Sequence, residues 1–292
     1  MFDSLTVQAP AKINIGLRVM PRRADGYHDI KSIFTTVNLC DEITITLTDK
    51  KGTCLVECEQ MVLPEENTFT AAYKAFCVLT GTDCGCKVKV TKRIPSGGGL
   101  GGGSSDASSF IQSIDTLLGT HLSAKEFDSL AGIVGSDCYF FTQALAGRRE
   151  SSFQPFAAVV GGRGEKVEAI AARTDYSVLL VFPGVSVSTK EAYLLVDETI
   201  SSRYIDAEDD YINLYRKPVH EWSFVNDFTA PVCVAFPQVA EALAAVKRSG
   251  ASFADMSGSG STVFGVFEGR ERALQAQEVL SKRWKIVLVL AK

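Results

Sequence analysis

Between Ile94 and Ser109 the chain reads IPSGGGLGGGSSDASS, with six glycines in sixteen residues. Apolar residues then recur at Ala107, Phe110, Ile111, Ile114, Leu117 and Leu118, a spacing of three and four that predicts one face of an amphipathic helix. The segment Val88 to Lys92, VKVTK, alternates as a strand does. Strand, glycine loop and helix follow one another. Such a loop leaves backbone N–H groups free, has no Cβ atoms to keep an anion away, and adds the partial positive charge of a helix N-terminus. Phosphate is the ligand this combination suits.

Three other readings of the stretch compete with this one. A flexible linker uses the same residues, but this run is short and stands between two strongly patterned elements. Gly97, Gly99 and Gly102 satisfy the dinucleotide fingerprint G-x-G-x-x-G, yet the strand before them carries lysines. Residues 115–130 read as helix where that motif needs a strand ending in an acid about twenty residues on. A Walker A loop requires Lys-Ser or Lys-Thr after the glycines, and neither follows.

At 292 residues, 46% apolar and 22% charged, the chain suits one large or two modest globular domains. A net charge of −4 disfavours nucleic acid or a membrane surface as the main partner. The cysteines at 40, 54, 58, 77, 84, 86, 138 and 233 form no C-x-x-C, and only three histidines are present, so a zinc site is not expected and reduced thiols are. The N-terminus lacks a signal-peptide pattern and no apolar run reaches membrane-spanning length, which together predict a cytoplasmic protein.

Along the chain, Leu5–Ala9 and Lys12–Val19 read as strands joined at Pro10, with Lys12, Asn14 and Arg18 opposite Ile13, Ile15, Leu17 and Val19. RRADGYHD, residues 22–29, reads as a D-G turn. Ile30–Asn38, Glu42–Thr48 and Cys54–Cys58 are expected to form an antiparallel meander. Asn67 caps a helix to about Leu79, and Ser123 with Glu126 forms a capping box opening another that ends near Gly135. Asp137 follows, before an aromatic pair, where a cap or turn role competes with a catalytic one. Arg148–Glu165 reads as irregular, and Asp197–Asp210 as a mobile surface loop or loosely packed helix. Pro237–Arg248 is a helix with a first-turn proline, and Ser257–Ser261 a second glycine-serine turn leading into a strand. A helix over Arg270–Lys282 and a strand over Ile286–Leu290 complete a half that reads as a ferredoxin-like α+β lobe.

PAKINIGL, PSGGGLGGGSSDASS and MSGSGSTVFGVF together resemble the three signature motifs of the GHMP kinases, the galactokinase, homoserine, mevalonate and phosphomevalonate kinase superfamily. RADGYHDI, Asn67, GSDCYFF, PGVSVSTKEAY and NDF narrow the resemblance to the 4-diphosphocytidyl-2-C-methyl-D-erythritol kinase family, from Pro10 to about Phe267. The resemblance implies a two-lobed α+β fold. A ribosomal protein S5 domain 2-like, ATP-binding lobe would span residues 1–165, and a ferredoxin-like lobe completing the substrate cleft residues 166–292.

It also implies roles. Pro95, Ser96, Gly97, Gly98, Gly99, Leu100, Gly101, Gly102, Gly103, Ser104 and Ser105 would wrap the ATP phosphates, and Asn67 would line the adenine pocket. Asp137 would accept the proton of the attacking hydroxyl, with Lys12 holding it ionised and stabilising the developing charge. Mg²⁺ would take Ser104 or Ser105 as a ligand. Tyr27 would stack on the cytosine of the acceptor and His28 hydrogen-bond it, Asn14 would assist at the reacting end, and Thr189 would touch the methylerythritol part. The substrate would be a small molecule, and the chain a monomer or weak homodimer. Where the family commonly reads GADVPFF this chain has GSDCYFF, placing Cys138 and Tyr139 beside the expected base. A GHMP kinase for mevalonate, a sugar or homoserine is the alternative enzyme, and a non-catalytic nucleotide-binding module the alternative of another class.

Overall fold

The protein is described by a computed structural model covering residues 3–146, 153–200 and 210–290. The fold is mixed α+β in two compact units that share the chain in alternation. The first takes residues 1–11, 39–96 and 101–153; the second takes 12–38, 97–100 and 154–292.

Two long strands thread both units. Strand β1, Ser4–Arg22, continues unbroken where two strands were expected. Pro10 removes one N–H but leaves φ compatible with extended chain. Strand β2, His28–Thr48, likewise joins the two segments read from the sequence.

In the first unit β2 pairs antiparallel with β4, Gly85–Thr91, setting Ile43 opposite Val90 and Ile45 opposite Val88. Strand β3, Thr53–Cys58, is not the next rung of a meander. It runs parallel to β4, on the side away from β2. The helix α1, Thr68–Thr80, is the crossover that a parallel pair requires. Three more helices, α2 (Gly102–Leu118), α3 (Ala124–Val134) and α4 (Asp137–Leu145), complete the unit. Phe69, Phe76, Phe110 and Ile114 form its core with Ile43, Ile45, Val88 and Val90. Each such side chain contributes about 1.5–3 kcal/mol by leaving water.

In the second unit the first half of β2 pairs with β5, Ala157–Gly162, and β5 with β6, Lys166–Ile170. Strand β5 corrects the irregular reading of Arg148–Glu165 over 157–162, while 153–156 and 163–165 are irregular as read; residues 148–152 lie outside the described residues. A four-stranded antiparallel sheet follows in the order β10-β7-β9-β8, from β7 (Ser177–Phe182), β8 (Phe253–Met256), β9 (Val263–Phe267) and β10 (Lys285–Leu290). Helices α5 (Thr189–Ile200), α6 (Tyr211–Arg216), α7 (Thr229–Ala235) and α8 (Pro237–Arg248) lie in sequence between β7 and β8, and α9 (Arg270–Leu280) precedes β10. That strand order, last-first-third-second, is the ferredoxin-like arrangement. Helix α5 takes in the start of the acidic segment read as loop or loose helix, and residues 201–209 of that segment lie outside the described residues. Among the described residues no helix is long and apolar enough to cross a membrane.

Candidate active site

In the second unit, Lys12 and Asn14 sit two residues apart on β1 and share a side of the strand. The Lys12 Nζ donates to Asn14 Oδ1 at 2.7 Å and to the carbonyl of Gly99 at 3.0 Å, and lies 4.8 Å from the centroid of the Phe34 ring. Both residues are buried. Asn14 is oriented in turn by its amide, which donates to Ser32 Oγ. A buried ammonium is expensive unless its protons are bound, so its position is tightly specified.

The Gly97–Leu100 half of the glycine loop is fixed by the second glycine-serine turn. Ser257 Oγ donates to Gly99 O at 2.9 Å, and Thr262 N–H donates to Gly98 O at 3.3 Å. Gly99 has φ +73°, and a Cβ there would meet the carbonyl oxygen of Ser257 at 2.0 Å. Only glycine fits. Asn226 holds the turn from behind, its amide donating to Met256 O and Gly258 O at 2.7 and 2.8 Å.

The first unit carries the rest of the loop and the helix it opens. The N-cap of α2, Gly101, has φ +70° and offers no side-chain cap. The first-turn N–H groups of α2 are therefore left for an anion. Ser105 is fully buried, and its hydroxyl has no hydrogen-bond partner. Beside it is a cluster the sequence reading missed. Lys92 Nζ bonds Asp106 Oδ2 at 2.6 Å and also Asp41, whose other oxygen accepts the N–H groups of Arg93 and Ile94. The chain entering the loop and the helix leaving it are thus tied to one buried cation.

Burial pushes the Asp106 carboxyl up to about 7, against the pull of Lys92. The unfolded chain releases that proton near pH 4, so ionisation costs the native state stability between about pH 4 and pH 7. Asp106→Asn removes this penalty. Its melting temperature is expected to gain on the parent's as pH rises through that window, measured by scanning calorimetry. A gap independent of pH would mean Asp106 is charged throughout.

Asp137 begins α4 in the first unit, after the Gly135 that ends α3. The departures beside it are accommodated. Cys138 is fully buried, and burial pushes its thiol up to about 11 with Asp137 adding to the effect, which makes it inert rather than nucleophilic. Residue 139 lies in the first turn of the helix, where proline and other residues are both tolerated. The Tyr139 hydroxyl packs against Gly132 of α3, where a Cβ would approach it to 2.5 Å. Asn67 caps α1, its Oδ1 accepting from Phe69 N and Thr70 N and its amide donating to Pro64 O.

Also in the second unit, Tyr27 is 53% exposed, with the Arg163 guanidinium 3.5 Å from its ring centroid. His28 is buried and fixed on three sides. Its Nδ1 lies 2.8 Å from Met20 O, its Nε2 lies 3.2 Å from Asp197 Oδ1, and its ring stacks on Tyr193 at 5.1 Å. Thr189, at the start of α5, hydrogen-bonds Ser259 of the glycine-serine turn.

Residues 67–144 match the GHMP kinases N terminal domain and residues 219–286 the GHMP kinases C terminal domain. A 4-diphosphocytidyl-2-C-methyl-D-erythritol kinase of Treponema pallidum (strain Nichols) is 40% identical over 291 residues, covering 97% of this chain and 96% of the relative. The chain belongs to the 4-diphosphocytidyl-2-C-methyl-D-erythritol kinase family. A second family member, from Geobacter metallireducens, is 36% identical with 99% of both chains covered. The crystal structure of a 4-(cytidine 5'-diphospho)-2C-methyl-D-erythritol kinase superposes with a TM-score of 0.78 at 27% identity over 98% of each chain. A mevalonate kinase from L. major, at 11% identity and a TM-score of 0.68, shares the fold.

Of the site residues expected from the sequence, Lys12, Asn14 and the Gly97–Leu100 segment are brought together in the second unit, which also holds Tyr27, His28 and Thr189. Ser104, Ser105, Asn67 and Asp137 belong to the first unit. The sequence reading missed Lys92, Asp41 and Asp106, and the supports Ser257, Asn226, Asp197 and Tyr193. The SGSGS turn was a signal for Ser257; nothing local distinguishes Asp41 from an ordinary strand-end acid.

Proposed function

We propose that the protein transfers the γ-phosphoryl group of ATP to the 2-hydroxyl of 4-diphosphocytidyl-2-C-methyl-D-erythritol, giving the 2-phosphate and ADP, in the methylerythritol phosphate route to isoprenoid precursors. The observation that carries the reading is the Lys12 ammonium, buried and held by Asn14 against a carbonyl of the glycine loop. Binding a nucleotide alone does not require a cation fixed there. Stabilising charge on a transferring phosphoryl group does.

In this reading Asp137 takes the proton from the 2-hydroxyl as its oxygen attacks, and Lys12 supplies the compensating positive charge. The uncapped N–H groups of α2 and the glycine loop from Pro95 to Ser105 hold the phosphates, and Asn67 lies at the adenine. The buried, unpartnered Ser105 hydroxyl is a hard oxygen of the kind Mg²⁺ accepts, with Ser104 its neighbour. Bound there with ATP, Mg²⁺ would neutralise charge on the phosphates. Among the described residues no cluster of three histidines, cysteines or carboxylates could hold a metal, consistent with an ion held largely by ATP itself.

We also assign residues 1–165 to nucleotide binding and 166–292 to completing the acceptor site, a division that falls between the two matched segments. The eight free cysteines suit the reducing cytoplasm. A monomer or weak homodimer remains our reading of the oligomeric state.

The product is the test. Phosphorylation at a tertiary carbon gives a monoester whose ³¹P signal shows no three-bond coupling to a carbon-bound proton on C2. A split signal from a primary or secondary ester would reject the assignment. His28→Ala is expected to raise the acceptor KM at least about tenfold, the scale of a lost buried hydrogen bond, while sparing the ATP KM. A rise in the ATP KM alone would remove His28 from the acceptor pocket.

A further inference from the structure

Ser32 lies on β2, fully buried, and the groups around its hydroxyl decide which way that hydroxyl points. Two carbonyls stand near its oxygen, Gly16 O at 2.5 Å and Ile33 O at 3.4 Å, and both can only accept. The Ser32 proton is therefore committed to the backbone, chiefly to Gly16. Towards Asn14, whose amide is 3.2 Å away, the same oxygen is left to accept, so the Asn14 atom facing it is the nitrogen. That settles the other end of the amide. Asn14 Oδ1 is turned to the Lys12 Nζ at 2.7 Å, where an ammonium, which only donates, requires an acceptor. The glycine-serine turn also closes on this amide, since a Cβ on Gly258 would come within 3.2 Å of Asn14 Oδ1.

We propose that Ser32 is a positioning residue for phosphoryl transfer: by accepting from Asn14 it keeps Asn14 Oδ1 on Lys12 and so holds the ammonium where charge develops. The inference rests on the role given to Lys12 above. The two ends of a carboxamide have nearly the same shape, so packing alone does not tell them apart, and hydrogen bonds do. Without the Ser32 hydroxyl, two buried groups lose their partner, the Asn14 amide and the Gly16 carbonyl. Leaving such groups unpaired is costly, and the amide relieves both by swinging towards Gly16 O. That movement draws Oδ1 off the ammonium. A displacement of this size beside the reacting atoms lowers the rate of the chemical step, while the contacts that bind ATP and the acceptor stay in place.

The test is a double-mutant cycle of Ser32→Ala with Asn14→Ala, read as the single-turnover rate at saturating Mg-ATP and acceptor. Ser32→Ala alone is expected to lower that rate at least about tenfold, with the KM for ATP and for the acceptor within about threefold of the parent's. In the Asn14→Ala background the same substitution is expected to change the rate by less than about twofold, because the group through which Ser32 acts is gone. Ser32→Cys keeps the volume with a weaker acceptor. Its rate is expected to fall between those of the parent and Ser32→Ala, and it takes the place of the alanine variant in the cycle if that variant does not fold. A rate unchanged by the substitution, an equal loss in both backgrounds, or a raised KM at an unchanged rate overturns the proposal. A parent that phosphorylates an acceptor other than the cytidine-bearing one removes the proposed function, and the same cycle run with that acceptor still decides the place of Ser32. A parent that phosphorylates none overturns both.

Discussion

Asp137→Asn is expected to lower turnover by at least about a hundredfold, the scale of a lost general base, while the ATP dissociation constant stays within about threefold of the parent's. Asparagine keeps the shape of the side chain at the start of α4 and removes only the capacity to take a proton. Its effect should therefore fall on kcat and not on assembly of the site. Asp137 is placed by Gly135, which ends α3 one residue before Ser136. Cys138 and Tyr139 are absorbed by packing in the same unit and leave the aspartate's backbone helical. Rapid-quench kinetics would separate the chemical step from product release. An unchanged single-turnover rate would remove Asp137 from the mechanism.

Lys92→Met is expected to cost about 3–5 kcal/mol of folding stability, because it leaves Asp41 and Asp106 buried without their shared cation. Asp41 is fully buried and its oxygens also cap the N–H groups of Arg93 and Ile94, so the damage should centre on the entry to the glycine loop. Urea unfolding gives the measurement, with the midpoint falling and the slope unchanged. Adding Asp106→Asn should recover part of the loss by leaving one buried carboxyl, Asp41, where there were two. A single variant as stable as the parent would show that the cluster holds a proton in place of the lysine at no cost.

Much of this was legible in the chain. The glycine stretch, the α2 periodicity, the caps at Asn67 and Ser123 and the first-turn proline of α8 are local signals, and the structure shows each element. What was misread depends on partners distant in sequence. Continuity of β1 through Pro10 is enforced by pairing with β2, and the parallel seat of β3 by its registry with β4, Cys54 opposite Cys86. The fragments of the site split the same way. Lys12 and His28 stood inside motifs, whereas Lys92, Asp41 and Asp106 are separated by 51 and 14 residues and form a unit only once folded. Asp197 looked like part of an acidic surface run until α5 turned it towards His28.

The central claim is tested most directly by ADP release from Mg-ATP with 4-diphosphocytidyl-2-C-methyl-D-erythritol, run beside mevalonate, galactose and homoserine. Turnover confined to the cytidine-bearing acceptor is the expected result. Turnover on one of the other three, or ATP bound with no acceptor phosphorylated, would contradict it.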